Sequence, residues 1–173
     1  MLELLILYSL FERDLTTYGV RKNIVDNFGI YLEPSLGAIH PAIQRLIKKG
    51  CITSSKNISD GGQKSCYNRL TPEGKRYFNT LFTEDFLHNA AKMSTQVKIR
   101  FVMLPKFKPN EHYNDFFVNT IQKVEAHIFG IQNFIAKKTD ERDKYVKISA
   151  EVLLKELKEL KNMLLKLQAE GAA

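Results

Sequence analysis

Residues 34–50, PSLGAIHPAIQRLIKKG, restrict this chain more than any other stretch. At 3.6 residues per turn, Leu36, Ile39, Ile43, Leu46 and Ile47 share one face, and Gly37, Ala38, Pro41, Gln44, Arg45 and Lys48 share the other. Ser35 is placed to cap the start, and Gly50 to close the end in the left-handed conformation. The apolar back has to be covered by neighbouring elements. The front runs from small residues to amide, guanidinium and ammonium groups. Small residues permit close approach to a surface. Gln and Arg can each make paired hydrogen bonds to base edges, and Lys suits phosphate. An amphipathic helix with a merely solvated front fits the same window, so the flanking sequence has to decide. Pro41 removes one hydrogen bond and crowds the carbonyl four residues back, which belongs to Gly37 and has no side chain beside it. One helix with a distorted first turn is expected.

The flanks supply an order of elements. Met1 to Glu12 reads as a helix burying Leu2, Leu5, Ile6, Ser9 and Leu10, with no arm before it. After a polar break at 13–15, Thr16 or Thr17 caps a second helix with Val20, Ile24 and Phe28 in line, ending at Gly29. Pro34 keeps Glu33 out of a helix and resets the direction. Beyond Gly50, CITSSK and KSCYNRL read as two strands joined by a turn with Asp60-Gly61-Gly62 at its tip. Thr71-Pro72-Glu73 then opens a further helix that carries Tyr77, Phe78, Leu81 and Phe82. Three helices, a two-stranded hairpin and a helix make a winged helix-turn-helix, which holds the back of the 35–49 helix in the core and its front toward a major groove.

Charge agrees with that use. The formal net charge is +7, and between Arg45 and Arg76 the basic residues Arg45, Lys48, Lys49, Lys56, Lys64, Arg69, Lys75 and Arg76 face only Asp60 and Glu73. Such a local excess suits a polyanion, although ordinary surface lysine has the same composition. The two cysteines, Cys51 and Cys66, are too few for a disulfide framework. A cross-strand bridge is conceivable, but without a secretory signal free thiols and a cytoplasmic setting are the expectation. The four histidines are scattered without metal-ligand spacing. No apolar run is long enough to span a membrane. There is no nucleophile–base pair, phosphate-cradling glycine loop or carboxylate pair, so neither an enzyme nor a cofactor is expected.

Several spaced motifs resemble the PadR family of transcriptional regulators over Leu2 to about Phe82. They are Tyr18-Gly19 opening the second helix, Ser35-x-Gly37-x-Ile39-x-Pro41-Ala42-Ile43-x-Arg45-Leu46-x-x-x-Gly50, and Lys64, Tyr67 and Leu70-Thr71-x-x-Gly74 along the hairpin. The resemblance implies a dimeric, non-enzymatic regulator, usually a repressor, on an inverted-repeat operator, often released by a small aromatic or apolar effector. The chain departs from the family pattern at His40, where a Tyr is usual, at Ala38, where Ser or Thr is frequent, and at Asn68, where a second aromatic often follows Tyr67. These departures alter the hydrogen-bonding groups offered to DNA. His40 lies at the edge of the apolar face and suits packing as well as DNA contact.

The second half differs in character. FLHNAAKMSTQVKIRFVML from Phe86 reads as a helix, although VKIRFVML alone resembles a strand. Pro105 and Pro109 bracket a turn. Asn110 is expected to cap a long helix with Phe117, Ile121, Val124, Ile128, Ile131 and Ile135 on one side. After a charged break at 137–143, Val146, Ala150, Leu153, Leu157, Leu160, Leu164 and Leu167 recur by four and three, the a/d seam of a coiled coil. A stripe this apolar must be covered, by its own neighbours or by a second chain. Dimerisation is the stronger expectation, because a winged helix gains specificity from a second half-site. Phe107, Tyr113, Phe116, Phe117, Phe129 and Phe134 form core or, less often for such a stripe, line an effector cavity.

The expected architecture is mainly helical with a small β-hairpin wing. Residues 1–83 form the DNA-binding winged helix, and residues 84–173 a helical dimerisation domain that could also bind an effector. Gln44 and Arg45 would read bases, with Gly37, Ala38, His40 and Pro41 on the same front. Lys48 and Ser35 would meet phosphates, as would Thr17 and Tyr18 where the backbone N–H groups of a helix start help. Lys56 and Lys64 on the wing would add backbone or minor-groove contacts. Promoter occlusion is the corresponding mechanism. The alternative is a winged helix that docks another protein and binds no DNA.

Overall fold

A computed structural model describes residues 1–58, 64–84, 89–108 and 110–171, apart from the side chains of residues 57, 58 and 64. The chain divides into two units, Met1–Glu84 and Asp85–Ala173.

Helix α1 (Leu2–Ser9) is the centre of the first unit. Leu4, Leu5, Ile6 and Leu7 are all buried. Four consecutive apolar residues go right round one helical turn, so α1 has to be enclosed. It stops at Ser9, short of Glu12, because Leu10 and Phe11 bond back to the carbonyls three residues earlier and tighten the last turn. Helices α2 (Thr17–Phe28), α3 (Leu36–Lys48) and α4 (Pro72–Thr83) enclose it. Each of the three starts on a side-chain cap. Thr16 Oγ1 accepts from Gly19 N at 3.0 Å, Ser35 Oγ from Ala38 N at 3.3 Å and Thr71 Oγ1 from Gly74 N at 3.0 Å. Gly50, at φ 71°, ends α3 as expected. Pro41 lies inside α3 without breaking it.

The wing is a three-stranded antiparallel sheet in the order β1-β3-β2, with β1 Leu15–Thr16, β2 Ile52–Ile58 and β3 Lys64–Leu70. The hairpin runs in register from Ile52 opposite Leu70 to Ile58 opposite Lys64. The strand β1 was not expected, since two residues carry no alternation. It is tied in by Asn68, which is buried in the sheet. Asn68 Nδ2 donates to the Leu15 carbonyl at 3.1 Å, and its Oδ1 accepts from Ser54 Oγ at 2.6 Å. One amide side chain thereby joins all three strands. The wing tip, residues 59–63 with the expected Asp60-Gly61-Gly62 turn, lies outside the described residues. Cys51 is buried, Cys66 is exposed, and both are free thiols. Cys66 pairs with Lys56, five positions from Cys51. Five extended residues span roughly 17 Å, far beyond the Cα separation of a disulfide.

The second unit is built from α5 (Ala90–Phe107), α6 (Tyr113–Ala136) and α7 (Lys144–Gly171), with a 3-10 turn at Glu141–Asp143 before α7. Three boundaries differ from expectation. Helix α5 begins after its cap Asn89, whose Oδ1 accepts from Lys92 N at 3.1 Å; Phe86 lies outside the described residues. It also continues through Pro105 to Phe107. A proline in the last turn forfeits one backbone bond, and buried Leu104 and Phe107 hold that turn against the core. Helix α6 begins at Tyr113, and Asn110 accepts from His112 N at 2.8 Å in the preceding turn instead of capping the helix.

Candidate nucleic-acid interface

The back of α3 is sealed. Ile39, Ala42, Ile43 and Leu46 are buried. Leu36 is not: it is 43% exposed at the first turn, a correction to its place on the apolar face. Periodicity fixes the angle of a side chain about the axis, not how far the neighbouring elements extend along it. Gly37, Pro41, Gln44 and Lys48 form an exposed line down the front, with His40 exposed beside them and Leu36 at the same end. His40 is therefore a surface residue, not a packing one.

Ala38 and Arg45 lie on the flank of that line. Arg45 Nε donates to Glu3 Oε1 on α1 at 3.1 Å. Glu3 Oε2 accepts from Lys49 Nζ at 3.0 Å and from Tyr77 Oη on α4 at 3.1 Å. Lys49 also donates to Tyr77 Oη at 2.7 Å and sits 4.5 Å from the ring centroid. Burial would push the Glu3 carboxyl up. The hydrogen bonds from Lys49, Arg45 and Tyr77 outweigh that, and hold it below the usual carboxylate range. The hydrogen bonds that Lys49 donates to Tyr77 and to Glu3 hold its charged form and push its pKa up. Nothing in the sequence marked Glu3, because its partners lie more than forty residues away.

The remaining cations divide into two sets. Arg69 is held by Asp14 at 2.9 and 2.7 Å, and Arg76 by Glu73. Arg21 bridges Glu33 and the Pro34 carbonyl, both at 3.1 Å, and so braces the chain between α2 and α3. Among the described residues Lys48, Lys56 and Lys75 are exposed and form no ion pair. The Lys64 side chain lies outside the described residues. The half of the basic run that is neutralised is thus paired with Glu3 on α1, with Asp14 just before β1 and, for Arg76, within its own helix. Tyr18 is 63% exposed at the start of α2, next to half-buried Thr17. Ser35 combines exposure with its capping bond, in which its oxygen is the acceptor.

In the second unit Leu157, Leu160 and Leu164 are buried within this one chain, and Leu153 and Leu167 are half-buried. Lys161 Nζ meets Glu125 at 2.7 Å across α6 and α7, and Glu156 Oε1 accepts from Ser94 Oγ and Lys98 Nζ, both at 2.6 Å, across α5 and α7. The start of the seam is open: Val146 is exposed, as are Phe129, Phe134, Tyr145, Ile148 and Val152 nearby on α6 and α7. Of the aromatic stripe, Phe107, Tyr113, Phe116 and Phe117 pack on one another at centroid distances of 4.9–6.4 Å. These four are buried and form core. Phe134 lines a groove of about 660 Å³ with Tyr145, Val146, Val152 and Leu153.

Among the described residues no group of three His, Cys, Asp or Glu side chains could hold a metal ion, and no helix is long and apolar enough to cross a membrane.

No curated protein matches the chain. Among solved structures, PadR of Bacillus subtilis in complex with operator DNA is 16% identical, with 98% of each chain covered and a TM-score of 0.45. A PadR family transcription regulator from Clostridium difficile R20291 is 21% identical over 61% of this chain and 96% of its own, with a TM-score of 0.42. A transcriptional regulator from Clostridium thermocellum is 27% identical over 58% of this chain and 91% of its own, with a TM-score of 0.44. The family model of the transcriptional regulator PadR-like family matches residues 6–80. That match takes in the capped α2, the whole of α3, the wing and most of α4, so the first unit of this chain, a winged helix, is similar to the PadR-like family of transcriptional regulators.

Proposed function

We propose that this protein is a sequence-specific regulator that binds duplex DNA through α3 and the wing. The observation that carries the reading is the exposed line Gly37, Pro41, Gln44 and Lys48 on a helix whose opposite face is sealed in the core. The small residues at its N-terminal end let the helix axis approach the groove floor. Gln44 is the central base reader, its amide suited to adenine, and Lys48 reaches phosphate one turn on. Arg45 reads from the flank. Lys56 anchors the wing to the backbone, and Lys64 does the same at the hairpin's far end. Thr17, Tyr18 and Ser35 meet phosphate at the starts of α2 and α3, where free backbone N–H groups favour an anion.

Two copies on an inverted repeat complete the reading, with repression by promoter occlusion. Because Leu157, Leu160 and Leu164 are covered within the chain, the pairing surface centres on Val146 and Leu153 and their exposed neighbours. Release by a small aromatic or apolar effector would use a groove of about 460 Å³, in which Phe101, Leu160, Met163 and Leu167 supply the apolar lining and Lys98, Glu156 and Glu159 the polar one. An effector seated there would alter the packing of α7 and with it the spacing of half-sites.

The test is a salt titration of binding to random duplex, followed by selection from a randomised pool. Affinity that falls steeply with salt is expected, since phosphate contacts release counterions. Gln44→Ala should blur the preferred base at its position. Lys56→Ala should weaken binding to every sequence and flatten the salt slope by about one contact. A chain that ignores duplex in dilute buffer would instead be a protein-docking winged helix.

A further inference from the structure

The Glu3 cluster has more order than a surface ion pair needs. An exposed Arg–Glu pair is held loosely and contributes little. Glu3, however, is only 17% exposed at its side chain, and its two oxygens accept three donors, from α3, from Lys49 at its C-terminal end and from α4. Lys49 and Tyr77 also bond to each other, so the carboxylate's two partners on that side brace one another. The Arg45 side chain beside it is 57% exposed, and the contact uses Nε alone. Nη1 and Nη2 take no partner among the described residues. Arginine reads guanine through paired N–H groups, and fixing a long side chain on binding costs affinity unless it is fixed beforehand.

We infer that Glu3 is a positioning residue for DNA readout, holding the Nε edge of Arg45 so that its terminal nitrogens are set beside Gln44 before DNA arrives. The inference rests on the proposed DNA binding. It separates two effects of one carboxylate. Its hydrogen bond sharpens base choice. Its charge, close to the phosphates, lowers the affinity for any duplex. Removing it should move these quantities in opposite directions, which a damaged fold cannot do.

The experiment uses the full chain, wild type and Glu3→Gln. Sequences selected by the wild type from a randomised duplex pool are compared with a scrambled duplex. Glu3→Gln should cut the ratio of the two affinities about three- to tenfold, by the cost of ordering one side chain. It should also tighten binding to the scrambled duplex and steepen its salt dependence. In an Arg45→Ala background the same substitution should leave the ratio unchanged. A ratio unaltered by Glu3→Gln, or a loss that persists without Arg45, overturns the inference while leaving DNA binding intact. If the wild type selects no sequence, the inference and the DNA-binding reading fall together. If Glu3→Gln does not fold, the Arg45 Nε–H proton of the free wild-type protein decides. Slow exchange with solvent supports the clamp, and exchange as fast as in an open arginine overturns it.

Discussion

At the scale of single residues, two polar side chains hold elements that sequence distance keeps apart. From the middle strand the Asn68 amide reaches both β1 and β2, donating to one and accepting from the other. Asn68→Ala should lower stability by about 1–3 kcal/mol, the cost of stranding a buried partner, read as a lower urea midpoint with unchanged slope. In the second unit Glu156 lies below the usual carboxylate range, because Lys98 and Ser94 hydrogen-bond its charged form, with burial opposing. Its lowered folded-state pKa contributes stability that is complete above the unfolded value and is lost as pH falls through the folded one. Glu156→Gln should therefore flatten the acid side of the melting temperature profile below about pH 4.5. Identical acid limbs in the two chains would remove Glu156 from the account.

At the scale of elements, the junction of α3, β2 and α4 decides how the reading helix is presented. Thr71 Oγ1 donates to the Gly50 carbonyl at 2.7 Å, and Thr71 N to the Cys51 carbonyl at 3.1 Å. Gly74 then passes so close to Cys51 that a Cβ would collide with that carbonyl and stand 2.7 Å from Leu70 Cδ1. Gly74→Ala should destabilise by about 1–3 kcal/mol through overpacking against backbone that cannot yield. Gly130, in the interior of α6, should respond with the opposite sign, since a Cβ added there would meet nothing within 4 Å. Gly130→Ala should stabilise by about 0.5–1 kcal/mol, from helix propensity alone. Denaturant midpoints of the two variants moving in the same direction would contradict this assignment of the glycines.

At the scale of the whole molecule, the open end of the α6–α7 pair predicts assembly. Light scattering should give the mass of two copies, and Val152→Glu, at a position 65% exposed, should shift it toward one copy without loss of helicity. A single-copy mass for the unmutated chain would remove the paired half-sites from the proposed mechanism. Much of the rest was legible in the residues themselves. Capping hydroxyls, the Gly50 closure, the 3.6-residue period of α3 and the hairpin boundaries are local, because each depends on groups within a few positions along the chain. The order of those elements was enough to indicate a winged helix. Only the folded structure decided which cations are free, because Glu3 and Asp14 reach partners across tens of residues. It also showed that Leu36 is exposed and that half of the leucine seam is covered at home, since periodicity gives the direction of a side chain but not what lies opposite it.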